Sequence, residues 1–188
     1  EVTAVPRQPH GQVPGLVVVF PGRDAAAQAV VALTGQVNYA ASKAGADGPI
    51  YMWVENGGEQ TLDSMGNSPF KPYKKWMKSL PTLYYDKYRV MAHAGVNPAE
   101  AIDDQDEDFL LWARVNNKET WHLPHVDYWG RHLVHGHTPI DPTQALTVGN
   151  RTNVDTACVF GGKLTCAVFD DDTPGGPVSI IQVKGPPY

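Results

Sequence analysis

The 188-residue chain predicts a layered α/β domain, and three features lead there. The Val-dense run Leu16 to Phe20 reads as a buried strand; Pro21-Gly22 breaks it, and a short Ala-rich helix, Ala25 to Leu33, follows. The apolar fraction, 42%, is enough for a core and argues against wholesale disorder. Eighteen Gly and sixteen Pro mean many turns, so short strands are expected rather than long helices.

Residues 1–15 are polar, carry three prolines and read as an extended tail; residues 16–188 read as one domain. The chain begins with Glu1 rather than Met, which suggests processing or a fragment. Asp24 is placed to cap the first helix and Gly35 to end it. Asn38 to Gly48 has no clear pattern, and Ile50 to Val54 fits a helix or a strand. Gly57-Gly58 opens a segment that reads as helical through Met65. Pro72 to Leu80 puts Trp76, Met77 and Leu80 on one helical face, with Lys71, Lys74, Lys75 and Lys78 as a solvated surface.

Beyond Pro81 the pattern changes. Thr82 to Tyr85 and Tyr88 to Ala92 read as strands around the turn Asp86-Lys87. The acidic run Asp103 to Asp108 suits a helix start, followed by the apolar Phe109 to Trp112. Leu133-Val134 is a short strand ending at His135. His122, His125 and His132 fall in an aromatic-rich loop whose Trp121, Tyr128 and Trp129 are expected to pack or to meet a partner. Val154 to Phe160 and Lys163 to Phe169 read as a hairpin around Gly161-Gly162. That hairpin pairs Phe160 with Lys163, Val159 with Leu164 and Cys158 with Thr165, and sends the sulfurs of Cys158 and Cys166 to opposite faces. Asp170 to Asp172 reads as a charged turn, and Ser179 to Val183 as the last strand.

Composition excludes several functions. Fifteen Lys and Arg against twenty Asp and Glu give a net charge of -5, a poor match to a nucleic-acid backbone. The longest apolar run is far short of the ~20 residues of a membrane helix. Two cysteines are too few for a disulfide scaffold; as reduced core thiols they suit an intracellular reducing compartment.

Candidate chemistry concentrates after residue 90. Val90-Met91-Ala92-His93-Ala94-Gly95 puts a His at a strand end, and Leu133-Val134-His135-Gly136-His137-Thr138-Pro139 does the same. Either His alone reads as a hydrogen-bonded structural residue before it reads as a ligand. Two in one context, at the rim where α/β folds place their sites, put a divalent-metal reading level with the structural one.

These two runs stand in order with Leu110-Leu111-Trp112-Ala113-Arg114, Asn153-Val154-Asp155-Thr156-Ala157 and Gly161-Gly162-Lys163-Leu164-Thr165. Together, over roughly residues 50–184, they resemble the calcineurin-like metallophosphoesterases: the bacterial phosphoprotein phosphatase branch, with the symmetrical diadenosine tetraphosphate hydrolases beside it. Asn56-Gly57-Gly58-Glu59-Gln60-Thr61-Leu62 is similar to a segment of that branch. The resemblance implies an α/β fold of αββα sandwich type with its N-terminal half cut short, and a two-metal centre of Mn, Fe or Zn. It implies that His93 and His137 are metal ligands, that Arg114 binds substrate phosphate, that Asp155 supports the catalytic site and that His135 stands behind the ligands. The substrate would be a phosphorylated molecule or a dinucleoside polyphosphate.

The chain also departs from the family. The motifs Gly-Asp-x-His-Gly, Gly-Asp-x-x-Asp-Arg-Gly and Gly-Asn-His-Glu, which supply the remaining ligands, are not intact. Pro21-Gly22-Arg23-Asp24-Ala25 stands where the first belongs, and Arg23 brings a cation. Asp24, Asp47 and Glu55 are carboxylates without supporting spacing. Two expectations follow: segments of a longer active enzyme are missing, or the domain is an inactive relative, without metal, that binds protein partners as a scaffold.

Overall fold

The computed structural model describes residues 17–19, 63, 81–114, 126–140 and 144–185. The chain divides into two compact units, Glu1–Val13 with Val37–Ser79 and Pro14–Gln36 with Leu80–Tyr188; every element below belongs to the second. Strands β1 (Val17–Val19), β2 (Leu83–Tyr85), β3 (Arg89–Ala92), β4 (His132–His135), β5 (Leu146–Val148), β6 (Arg151–Asn153), β7 (Lys163–Val168) and β8 (Ser179–Lys184) form two sheets. One has the order β2-β3-β4-β6-β5 and the other β1-β7-β8. A six-residue helix, α1 (Glu107–Trp112), lies between β3 and β4 in sequence. With a mixed sheet and a crossover helix, the described part is α/β, as expected.

Local chemistry accounts for most of these elements. The Asp86 carboxylate accepts from the backbone N–H groups of Tyr88 and Arg89 and closes the β2–β3 turn. Asp106 caps α1, accepting from Phe109 N at 2.8 Å, while Glu107 and Asp108 add negative charge to its first turn. The Val-rich run near the N-terminus does form a strand, and β1 pairs parallel with β7.

The five-stranded sheet is covered on both faces, because side chains alternate along its strands. Met91, Val134 and Val154 pack against Ala167, in β7 of the second sheet, and Phe169, the residue just after that strand. Val90, Ala92 and Leu133 point the other way, onto Leu110 of α1, Val96 and Tyr128. The Tyr128 and Trp129 region therefore packs; the Trp129 indole also donates to the Glu100 carbonyl at 3.1 Å. Among the described residues, no helix is long and apolar enough to cross a membrane.

Three sequence expectations need correction. Val154 to Phe160 is not a strand, and the Phe160–Lys163 hairpin does not form: Ala157 adopts the left-handed region, and Cys158–Phe160 is a 3-10 turn. The chain closes instead over the four residues 158–161, with Gly162 N bonded to Ala157 O and Lys163 N to Thr156 O. The Thr156 hydroxyl donates to the Lys163 carbonyl at 2.6 Å and holds that closure. Cys158 consequently sits in the 3-10 turn rather than opposite Thr165, whereas Cys166 is in β7; both are half-buried and neither forms a disulfide. Third, His132 is the first residue of β4, buried rather than in a loop. Asp170 to Asp172 is a charged turn between β7 and β8, as expected, with Asp170 accepting from Asp172 N and Thr173 Oγ1.

The extended tail, the helix at Ala25 to Leu33, the segments at Asn38 to Gly48 and Ile50 to Val54, the lysine-bearing helix, Trp121, His122 and His125 lie outside the described residues. Within Gly57 to Met65, Asp63 is described, helical and exposed.

Two predictions arise from this packing. A side chain on Gly162 would overlap the Thr156 carbonyl oxygen and crowd Ala157 O at 2.8 Å. Gly162→Ala is expected to lower the urea-unfolding free energy by about 2 kcal/mol or more, as overpacking against backbone does. A change within ~0.5 kcal/mol would mean the 157–163 closure is wrong. His132 bonds Thr152 Oγ1 at 2.8 Å; burial, aided by the nearby Arg89 charge, pushes its pKa down to about 4. The folded protein thus binds that proton less readily than the unfolded chain. The stabilisation from keeping His132 neutral is fully present above the unfolded pKa near 6.5 and is lost as pH falls toward 4. Comparing wild type with His132→Gln in urea, the His132-dependent part of stability should shrink by up to about 2 kcal/mol between about pH 7 and 5.

Candidate metal and phosphate site

Strands β3, β4 and β6 run parallel in register, so their C-terminal ends share one rim. His93 follows β3 directly, His135 ends β4, His137 lies two residues on, and Asp155 two residues beyond β6. Backbone bonds lace these ends together. Gly136 N donates to His93 O at 2.8 Å, and Ala94 N to Leu110 O at 2.8 Å, which ties the His93 turn to α1. Asn153 Nδ2 donates to Thr138 O at 2.9 Å, and Ile140 N to Asp155 O at 3.0 Å. The loop carrying His137 is thereby held from both sides.

This lacing brings the rings of His93 and His137 to a centroid separation of 4.9 Å at 62°. His137 itself has φ 65, a left-handed backbone that turns its side chain back over the rim. Its ring bonds the backbone of Trp112 at the end of α1, and the Trp112 indole stands edge-on at 6.0 Å. The Nε2 atom of His137 is buried and has no hydrogen-bond partner among the described residues. A carbonyl partner on one imidazole nitrogen fixes the tautomer and leaves the other nitrogen's lone pair for a ligand.

The electrostatics favour neutral imidazoles. Burial pushes the His137 pKa down, the Arg114 guanidinium adds to this, and the Trp112 backbone bond partly offsets it. His135 is fully buried, and its pKa falls to about 3, mainly through burial, with smaller contributions from the charges of Arg151 and His137. Burial pushes the Asp155 carboxyl up, moderated by the bond it accepts from Ala157 N at 3.1 Å. Burial, then the Asp155 carboxylate, pushes the Cys158 thiol up.

The structure thus brings together His93, His135 and His137, with Arg114 near enough for its charge to reach His137. Asp155 joins them through Gly136, where an added Cβ would lie 3.4 Å from the Asp155 Cβ. Two neighbouring imidazoles, one of them His137 with a lowered pKa and a buried Nε2 without a partner among the described residues, fit the nitrogen side of a divalent cation site. Among the described residues, no group of three or more His, Cys, Asp or Glu side chains is placed to hold an ion. The fit is therefore that of a half-site. Sequence reasoning overlooked the Trp112 carbonyl and the Asn153 amide as parts of this arrangement, since a main-chain acceptor leaves no residue-type signal.

The sequence is similar to bis(5'-nucleosyl)-tetraphosphatases labelled PrpE and asymmetrical. Identity is 33% over 92 residues to the protein of Oceanobacillus iheyensis, covering 44% of this chain and 36% of that one. It is 32% over 92 residues to that of Anoxybacillus flavithermus, with the same two coverages of 44% and 36%. It is 30% over 96 residues to that of Geobacillus thermodenitrificans, covering 45% and 37%. The chain spans about a third of the length of these curated relatives. No family model matches it. A crystal structure described as that of a candidate diadenosine tetraphosphatase aligns with a TM-score of 0.45 and 23% identity, over 68% of this chain and 60% of that one.

Proposed function

We propose that this chain carries the imidazole and phosphate-binding side of a metal-dependent phosphohydrolase site, with dinucleoside polyphosphates as its substrate class. The observation that carries the reading is the pair His93 and His137, 4.9 Å apart on one rim, with the buried Nε2 of His137 open to a ligand. The names of the matched relatives support the substrate class. The described layers, sheet on sheet with α1 outside, are taken as part of an αββα arrangement.

A divalent ion held there would supply charge stabilisation for phosphoryl oxygens and an activated water. His93 and His137 would hold it through ring nitrogens; burial keeps His137 from competing for a proton near neutral pH. The Arg114 guanidinium, planar and permanently charged, binds non-bridging phosphate oxygens in a forked geometry. Its charge also disfavours protonation of His137, so phosphate binding and ion binding share one electrostatic field. Asp155 holds the His137 loop through its carbonyl, which accepts from Ile140 N, and orders the turn to Ala157 through its carboxylate.

The test is hydrolysis of diadenosine tetraphosphate and of p-nitrophenyl phosphate by the purified chain with added Mn, with chelator as control. Metal-dependent release of nucleotides is expected, with diadenosine tetraphosphate preferred in kcat/KM; product analysis separates a symmetrical from an asymmetrical cut. A chain that binds metal yet releases nothing from either substrate is the inactive binding domain instead.

A further inference from the structure

The His135 side chain is buried to 0% exposure. Its Nδ1 lies 3.2 Å from the Gly136 carbonyl oxygen, and its ring also hydrogen-bonds the backbone of Ala94. Ala94 is the residue after His93, and Gly136 the residue before His137. One imidazole therefore contacts the main chain of both histidine-bearing turns. Its own backbone reaches the turn after β6 that carries Asp155, since Val154 N donates to His135 O at 3.0 Å.

We propose that His135 is the positioning residue of the site: its ring N–H joins the two turns and sets the separation of His93 and His137. A purely space-filling role for His135 needs only an apolar side chain of similar volume. The contacts differ from that, because each is to a main-chain group adjoining a candidate ligand. Gly136 supports the arrangement, with its N–H on the His93 carbonyl at 2.8 Å and no side chain to separate it from Asp155. This inference rests on reading His93 and His137 as ion-binding residues.

The experiment uses the full chain with His135→Phe, which keeps a buried ring and removes the donor, and His135→Asn, which keeps an N–H close to the Nδ1 position. Zinc chloride alone is titrated calorimetrically, and the imidazole Cε1–H signals of His93 and His137 are followed by NMR without metal. His135→Phe should weaken zinc binding roughly 10- to 100-fold and displace both sets of ring signals, while His135→Asn stays within about 3-fold of wild type. Equal behaviour of the two variants, both near wild type or both lost alike, overturns the proposal. If His135→Phe does not fold, His135→Gln replaces it: its amide reaches the Nε2 position, so Asn must hold and Gln must fail, and any equal result overturns the idea. If wild type takes up no zinc, the ion-binding reading itself fails, and the metal-free ring signals still decide whether His135 positions the two turns.

Discussion

Replacing His137 with Ala should lower Mn-dependent hydrolysis of p-nitrophenyl phosphate or diadenosine tetraphosphate on the order of a thousand-fold in kcat. The argument runs through the ring. His137 Nε2 is a buried lone pair without a partner among the described residues, presented by a ring whose other contact is the Trp112 backbone. Removing it removes one of two nitrogens from the ion, and charge stabilisation by a held ion is worth several kcal/mol at the transition state. The backbone complicates a simple Ala exchange, because position 137 has φ 65. Alanine carries the same Cβ cost there as histidine but lacks the side-chain contacts that favour His, Asn and Asp in the left-handed region. His137→Asn is the cleaner variant: Asn tolerates that conformation, and its short amide does not reach the Nε2 position. Both variants should lose activity alike while Asn keeps more of the thermal stability. Retained activity in His137→Asn, with the fold intact by circular dichroism, would remove His137 from the chemistry.

Arg89→Ala should reduce the unfolding free energy by about 3–5 kcal/mol, enough to leave a small domain largely unfolded in mild urea. Arg89 begins β3 yet is only 1% exposed. Its Nη2 donates to the carbonyls of Asp170 and Thr173 at 2.6 and 2.7 Å, and its guanidinium lies 4.9 Å from the Phe169 ring centroid. It therefore ties the first sheet to the turn between β7 and β8 in the second. Burial lowers its pKa, opposed by the carboxylates of Asp86, Asp171 and Asp170. Truncation strands two carbonyl acceptors and opens a gap beside Phe169, so hydrogen-bond loss and packing loss add. Arg89→Lys keeps charge and stem but only one donor group, and should recover part of the loss. A shift under ~1 kcal/mol for Arg89→Ala would show that the two sheets do not depend on this link.

The parts of the fold legible in the sequence are those governed by short-range rules. Asp86 before Lys87 announces a turn, Asp106 a cap, and Val17 to Val19 a strand, because each effect acts within a few residues. The strand-end positions of His93 and His135 follow from the apolar runs before them. The failure at residues 154–163 has a long-range cause. Gly161-Gly162 is a fair hairpin signal, but Thr156 Oγ1 lies 2.5 Å from Thr165 Oγ1 and also donates to the Lys163 carbonyl, so a side chain closes a wider loop, over residues 158–161. The hairpin of β5 and β6 turns at Gly149-Asn150, a readable turn signal, with Gly149 at φ 57. The site was half legible. Residue types pointed to His93, His137 and Arg114, whereas the carbonyls that aim the rings belong to Trp112, Ala94 and Gly136, whose identities reveal nothing about a backbone oxygen.

The most direct test is paramagnetic. Substoichiometric Mn chloride is added to the metal-free chain, and the imidazole signals of all seven histidines are followed by NMR. Among the described histidines, the ion should broaden the rings of His93 and His137 together and first, with His135 next and His132, at the opposite end of β4, last. Broadening that spares those two rings, or that affects one and leaves the other sharp, contradicts a shared ion between them.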